Sequence, residues 1–177
     1  MDKKLKDSLS KIKLLICDID GVLTDGSFIK STSGEELRSF NALDGVGFVV
    51  LRLLDLNVKT AWITGRESLT TTQRAEELQI DDVYNGVIRK IDAYNELKKK
   101  YELSDSEVCF IGDDIIDIPI LEKVGFAVTV PNYISNYAHY TTAVEGGKGA
   151  VREVIDLLIE SKGDFSEQID KLLSDLR

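Results

Sequence analysis

The sequence predicts an α/β fold: a doubly wound, Rossmann-like parallel sheet with helices on both faces and a small β-hairpin near its start. Three observations carry this. Short, continuously apolar runs (KLLIC, VKTAWI, VCFI) each stop abruptly at glycine or a polar residue, as strands buried on both faces do. Stretches with helical apolar periodicity separate them, the signature of crossover connections. At 177 residues and 43% hydrophobic content, with no repeat, low-complexity tract or linker, the whole chain 1–177 suits one domain.

In chain order, Lys13–Cys17 is the first strand. Residues 27–40 read as a hairpin, with Phe28–Lys30 and Glu35–Phe40 pairing across a Ser31–Gly34 turn. Asp44 is expected to cap a helix running through Val46, Val49, Val50, Leu53 and Leu54. Val58–Ile63 is a core strand, Glu67–Leu78 a helix with a polar face, and Asp82–Tyr84 a short strand. Lys90–Tyr101 is amphipathic through Ile91, Tyr94 and Leu97. Val108–Ile111 is a further strand, Ile115–Val124 a helix containing Pro119, and Phe126–Val130 another strand. Gly146–Gly149 (GGKG) reads as a turn between strand and helix. The tail 161–177, with Phe165, Ile169, Leu172, Leu173 and Leu176, forms a final amphipathic helix expected to dock on its own subunit or a neighbour.

A formal charge of −9 and a pI near 4.7 argue against a nucleic-acid or membrane-surface binder, both of which need a basic footprint. No segment approaches the ~18 apolar residues of a membrane span, and MDKKLKDSLSKIK has no apolar core of signal-peptide length. Cys17 and Cys109 each lie in an apolar run and read as small buried hydrophobes, so a reducing cytoplasm is the expected compartment. His139 sits in a Tyr-rich loop stretch and reads as a locally satisfied side chain.

In a doubly wound sheet, ligands bind beyond the carboxyl ends of the strands. Those ends carry Asp18-Ile19-Asp20-Gly21, Thr64-Gly65-Arg66 and Gly112-Asp113-Asp114, with Asp117 one helical turn later and Lys90 opening a helix. Five carboxylates on one rim repel unless a cation sits among them. An all-oxygen donor set suits Mg²⁺, and the lack of Cys or His at these positions excludes a typical zinc site. Mg²⁺, Lys90, the Thr64 hydroxyl and turn N–H groups together bind phosphate inside an acidic protein. A carboxylate beside them can attack phosphorus, and a second can protonate the leaving oxygen and later deprotonate water. Alternation along an extended segment puts Asp18 and Asp20 on one side and Ile19 in the core.

These motifs, in this order, resemble the haloacid dehalogenase-like (HAD) phosphatase superfamily. The resemblance implies that Asp18 is the nucleophile and a metal ligand. It makes Asp20 the acid/base, whose backbone carbonyl also binds the metal, and Asp113 the third protein ligand. Asp114 and Asp117 would orient metal waters or Lys90, and Thr64 and Lys90 would hold phosphoryl oxygens. About twenty residues separate Gly21 from FNALDG, room for a hairpin but not a cap domain. The runs DGVLTDG, GEELRSFNALDG, ITGR, IGDDIIDIPILEKVG and GGKGAVREV resemble the capless 3-deoxy-D-manno-octulosonate (KDO) 8-phosphate phosphatase family over roughly residues 12–159. That resemblance implies an Mg²⁺-dependent cytoplasmic homotetramer releasing KDO and phosphate in lipopolysaccharide-sugar synthesis.

A sugar-acid phosphate also presents a carboxylate, so a second cationic contact is expected. Arg66 and Arg74 are the candidates, projecting from one helix face, and Arg66 favours the eight-carbon over a nine-carbon keto-acid substrate. Asn41, Asp44 and Gly45 would form another substrate-facing loop, with Gly65 beside Thr64 on the phosphate. Leu43 stands where the family often has a basic residue, a gap that Arg52 would fill. The competing readings are a nine-carbon keto-sugar-acid 9-phosphate phosphatase, a broad phosphatase, and a non-catalytic oligomerisation module. The intact Asp18, Asp20, Lys90 and Asp113 set weighs against the last.

Overall fold

A computed structural model describes residues 3–34 and 36–175. The chain opens with helix α1 (Lys3–Leu9) and strand β1 (Leu14–Cys17), then forms a hairpin of β2 (Ile29–Lys30) and β3 (Glu36–Leu37). Helix α2 (Ala42–Leu53), β4 (Lys59–Ile63), α3 (Leu69–Leu78), β5 (Asp82–Tyr84), α4 (Lys90–Tyr101) and β6 (Val108–Ile111) follow. The chain continues through α5 (Ile118–Leu121), β7 (Phe126–Thr129), β8 (Tyr140–Thr141), α6 (Ala150–Ser161) and α7 (Phe165–Asp175). Six strands form one all-parallel sheet in the order β5-β4-β1-β6-β7-β8, and the hairpin is a separate two-stranded antiparallel unit with Ile29 opposite Leu37.

The apolar runs are continuous because both sheet faces are covered. Leu15 and Cys17 of β1, Trp62, Cys109, Ile111 and Val128 point into one core against α2, α3 and α6. Leu14, Ile16, Ala61, Ile63, Val108 and Phe110 point into the other, against α4 and α5. Full burial of Leu14, Leu15 and Ile16 contributes roughly 1.5–3 kcal/mol each. The hairpin is anchored to the first core where Phe40 stacks on Trp62, centroids 6.3 Å apart, with Phe48 edge-on to the same indole at 5.7 Å.

Several local expectations are corrected. The cap of α2 is Asn41, not Asp44: Asn41 has the extended backbone a cap needs, and its side-chain oxygen accepts from Leu43 N at 2.8 Å. Helix α3 starts at Leu69 rather than Glu67, because Ser68 is extended and its N–H goes to Asn85. The expected helix Ile115–Val124 is a 3₁₀ turn, Ile115–Asp117, followed by the single turn of α5, whose first residues include Pro119. Helix α1 and strand β8 carried no recognised signal. The tail helix spans Phe165–Asp175, Ser161 closing α6 instead. Leu172 reaches the first core while Phe165 and Leu173 stay exposed; Leu176, like Glu35 of the hairpin, lies outside the described residues.

Strand β1 lies between β4 and β6, so the chain leaves it first to one side and later crosses to the other. That switch point opens a crevice beyond the carboxyl ends of β1, β4 and β6.

Candidate active site

Asp18 follows β1 directly, its N–H still bonded to Ile111 O of β6 at 2.9 Å. The next residue, Ile19, is fully buried in the first core, and its carbonyl accepts from the N–H groups of Val22, Leu23 and Thr24 to close a tight loop. Thr24, also fully buried, reinforces that loop: its hydroxyl lies 3.3 Å from Ile19 O and accepts from Gly26 N at 3.2 Å. Asp25 shapes the entry to the hairpin by accepting from Ser27 N at 2.9 Å. Gly21 has φ +96°, and a Cβ there would lie 2.0 Å from Asp113 Oδ2. Only glycine lets the two loops meet.

Lys90, at the first position of α4, is 1% exposed and bridges Asp18 Oδ1 and Asp117 Oδ1, each at 2.7 Å. Burial alone would depress its ammonium, but Asp18 and Asp117 outweigh that and hold it charged. Asp117 is wholly buried, and its other oxygen accepts from the N–H groups of Asp113 and Asp114 at 3.0 and 3.1 Å. It therefore fixes both the lysine and the loop after β6. Asn132 ties down the same loop by donating to Asp113 O at 2.5 Å.

Asp18, Asp113 and Asp117 each present a ligand oxygen, all within 4.8 Å of one another. Burial drives the Asp18 carboxyl well above its usual range, and Lys90 offsets this only partly against Asp117 and Asp113. Asp113 is pushed up to about 6, again chiefly by burial. Among the described residues its buried Oδ1 has no hydrogen-bond donor. One ammonium among three carboxylates leaves an excess of buried negative charge. The all-oxygen set, with the Asp113 oxygen unsatisfied, fits a hard divalent cation such as Mg²⁺. The fully buried thiols of Cys17 and Cys109 sit below this rim, pushed up by burial.

Across the crevice, Thr64 at the end of β4 is 1% exposed, with its hydroxyl 3.4 Å from Asp20 Oδ2 and accepting from Arg66 N at 3.2 Å. Asp18, Asp20, Thr64, Lys90, Asp113 and Asp117 thus converge on one crevice, with Gly65 beside Thr64. Asp114 is turned outward: its carboxylate caps the 3₁₀ turn through Ile115 N and receives Tyr133 OH at 2.5 Å, which with that N–H holds it below the usual carboxylate range. Arg66 reaches the hairpin, its guanidinium 3.5 Å from Glu36 and stacked 3.9 Å over the Phe28 ring.

Other expected residues face elsewhere. Arg74 does not share a helix face with Arg66, which precedes α3; it pairs with Glu77 at 2.9 Å and lies across Gly45, where a Cβ would meet its Nη2 at 2.5 Å. Asp44 is buried and accepts Arg152 N at 2.7 Å, so it caps α6 rather than lining the crevice. Asn41 spends its amide on Gly147 O at 3.1 Å. Arg52, in the last turn of α2, donates to Leu78 O at 2.9 Å and does not stand in for a basic residue at Leu43. His139 is satisfied locally, accepting Ala127 N at 2.9 Å.

Sequence reasoning passed over Arg38. Its side chain is fully buried and its Nη1 stands 3.3 Å from Asp20 Oδ1. Its only signal was its place inside the run GEELRSFNALDG. Asn132 carried none, and the contact of Gly146 with the Gly21 loop was signalled only by the place of GGKGAVREV in the family pattern.

Residues 55–154 match the family described as haloacid dehalogenase-like hydrolase. A 3-deoxy-D-manno-octulosonate 8-phosphate phosphatase of Yersinia pestis is 42% identical over 153 residues, covering 85% of this chain and 81% of that protein. Its counterpart from Escherichia coli K12 is 40% identical over 159 residues, covering 88% and 84%. The crystal structure of the Moraxella catarrhalis phosphatase of that name, in complex with magnesium, phosphate and KDO, superposes with a TM-score of 0.90 at 33% identity, covering 97% and 99% of the two chains. A cobalt-bound form from Haemophilus influenzae gives 0.83 at 33% identity, covering 90% and 94%.

Proposed function

Because this chain belongs to the haloacid dehalogenase-like hydrolases, in the branch of the KDO 8-phosphate phosphatases, we propose that its crevice hydrolyses KDO 8-phosphate to KDO and phosphate. It is a phosphoric monoester hydrolase that uses Mg²⁺. The observation that carries the assignment of roles is the Asp18–Lys90–Asp117 chain beside Asp113, facing the Asp20–Thr64 pair across the switch point.

Asp18, Asp113 and the Asp20 backbone carbonyl would hold the cation, which when bound neutralises phosphoryl charge and permits an anionic nucleophile to approach. An Asp18 carboxylate oxygen attacks phosphorus, and the bond to the sugar oxygen breaks as Asp20 gives that oxygen its proton. The product is a phosphoaspartate on Asp18. Asp20, now a carboxylate, takes a proton from water, the resulting hydroxide attacks the phosphoaspartate, and phosphate leaves as Asp18 is regenerated. Lys90, paired with Asp18, would hold the phosphoryl oxygens beside it, and Thr64 would bind a further oxygen.

Arg66, its side chain 37% exposed and, among the described residues, held by Glu36 and Phe28, is a cation at the mouth available to a substrate carboxylate. The hairpin fills the place of a cap, so the described chain acts as one phosphatase domain. Exposed Ile29, Leu37 and Leu69 around the hairpin support assembly with further copies, and a homotetramer is the expected form. Two free, buried cysteines are consistent with a cytoplasmic enzyme. Among the described residues no helix is long and apolar enough to cross a membrane.

Phosphate release from KDO 8-phosphate and from a nine-carbon keto-acid 9-phosphate, each with Mg²⁺ and with EDTA, tests the reading. We expect Mg²⁺-dependent turnover with a higher kcat/KM on the eight-carbon ester. A clear nine-carbon preference would overturn the substrate, and no turnover of any sugar-acid phosphate would favour a non-catalytic module.

A further inference from the structure

We propose that Arg38, at the exit of the hairpin, is a positioning residue for Asp20: it fixes the orientation of the carboxyl group in the crevice, with Oδ1 toward the guanidinium and Oδ2 toward Thr64. This rests on the reading of Asp20 as the acid that protonates the leaving oxygen.

An arginine with no exposed side-chain surface is rare unless paired. Three elements hold Arg38. Its Nη1 donates to the hydroxyl of Thr71, a fully buried residue of α3, at 3.0 Å; its Nε donates to Glu36 Oε1 of β3 at 3.2 Å; and Nη1 faces Asp20 Oδ1 at 3.3 Å. The guanidinium is rigid because Thr71 and Glu36 fix its plane. Asp20 Oδ1 is buried and, among the described residues, receives no aligned hydrogen bond, so Arg38 acts on it through charge. A fixed cation 3.3 Å from Oδ1 attracts that oxygen and restrains rotation of the carboxyl group. Oδ2 is thereby left beside Thr64, the hydroxyl that on the proposed reading binds a phosphoryl oxygen. Glu36 also pairs with Arg66, so the hairpin that contacts the mouth cation holds the acid in register as well.

The test is leaving-group dependence. Arg38→Met, Arg38→Lys, Asp20→Asn and the double variant Asp20→Asn/Arg38→Met are assayed for kcat/KM on three esters. These are KDO 8-phosphate, a sugar phosphate without a carboxylate, and p-nitrophenyl phosphate, whose leaving group needs no proton. Arg38→Met is expected to lose about 10- to 100-fold on both alkyl esters and less than about threefold on the aryl ester, within the range of general acid catalysis. Arg38→Lys, which keeps a charge but not the fork, is expected to lose less, in the same pattern. In the Asp20→Asn background the Arg38 change should cost little, because the two act as one unit. Equal losses on all three esters, a loss confined to the carboxylate ester, full additivity in the double variant, or unfolding of both Arg38 variants would each overturn the proposal. Absence of leaving-group dependence in Asp20→Asn itself would instead show that the acid assignment is wrong.

Discussion

Gly146→Ala is the sharpest probe of how the loop after β1, which carries the proposed nucleophile Asp18, is held. Gly146 lies against the loop after β1, and an added Cβ would fall 1.8 Å from Gly21 O, 2.4 Å from Gly21 C and 2.9 Å from Thr24 O. Ordinary carbon–oxygen contacts lie near ~3.3 Å, so one backbone must give way by about 1.5 Å. Neither has slack. Gly147 N donates to Val22 O at 3.0 Å, and Asn41 holds Gly147 O from the start of α2. On the other side, Gly21 touches the Asp113 carboxylate and Thr24 knits the loop to Ile19. Overpacking of this kind costs about 1–3 kcal/mol, which for a domain of this size lowers the melting temperature by roughly 2–12 °C. Asp18 and Asp20 lie immediately before the displaced residues, and a shift of about 1 Å at a reacting group costs on the order of 10²-fold in rate. The assay is kcat/KM for phosphate release alongside calorimetric melting, with Gly34→Ala as reference. Gly34 has φ +89° but nothing within 4 Å of a Cβ; it bears only the left-handed penalty of about 1–2 kcal/mol, and its kcat/KM should stay within about twofold of wild type. If Gly146→Ala kept both wild-type kcat/KM and wild-type melting, the glycine segment would yield freely, and its role as a buttress would be wrong.

Three further outcomes follow from the same geometry. Asp18→Asn should lower turnover by roughly a thousandfold or more while leaving circular dichroism unchanged, since a carboxamide cannot form the phosphoenzyme; retained activity would remove the covalent mechanism. Arg66→Ala should raise KM for KDO 8-phosphate about tenfold or more and leave p-nitrophenyl phosphate nearly unchanged; equal losses on both would mean that Arg66 does not read the carboxylate. Glu107 is held down to about 2 by Lys13 and by the Ser104 N–H and hydroxyl, below its ordinary 4.5. A depressed acid stabilises the fold above its unfolded pKa and loses that contribution as pH falls through the folded value. Glu107→Gln should therefore be less stable to urea than wild type at pH 7, with the gap closing between about 4.5 and about 2; a gap constant with pH would refute the pairing.

The sequence by itself determined the architecture and the chemical core of the site. Apolar runs such as Leu14–Cys17 and Val108–Ile111 are continuous because both faces are buried, a constraint written locally along the chain. Asp18, Asp20, Thr64, Lys90, Asp113 and Asp117 were legible because each stands at a strand end or helix start, where chain geometry alone brings it to the rim. The tertiary structure decided what depends on partners distant in sequence. The sequence offers Asp44 as the cap of α2, and only packing of α2 on α6 gives Asp44 to Arg152 and leaves Asn41 to cap its own helix. Arg52 and Arg74 read as free cations until the ends of α2 and α3 meet. Arg38 read as one polar residue of a hairpin; its partners Asp20 and Thr71 lie on separate elements, and only folding places a buried guanidinium beside the acid. Charge and hydrogen-bond partnerships act over a few ångströms in space, and a one-dimensional pattern records them only where the fold's own periodicity places the partners.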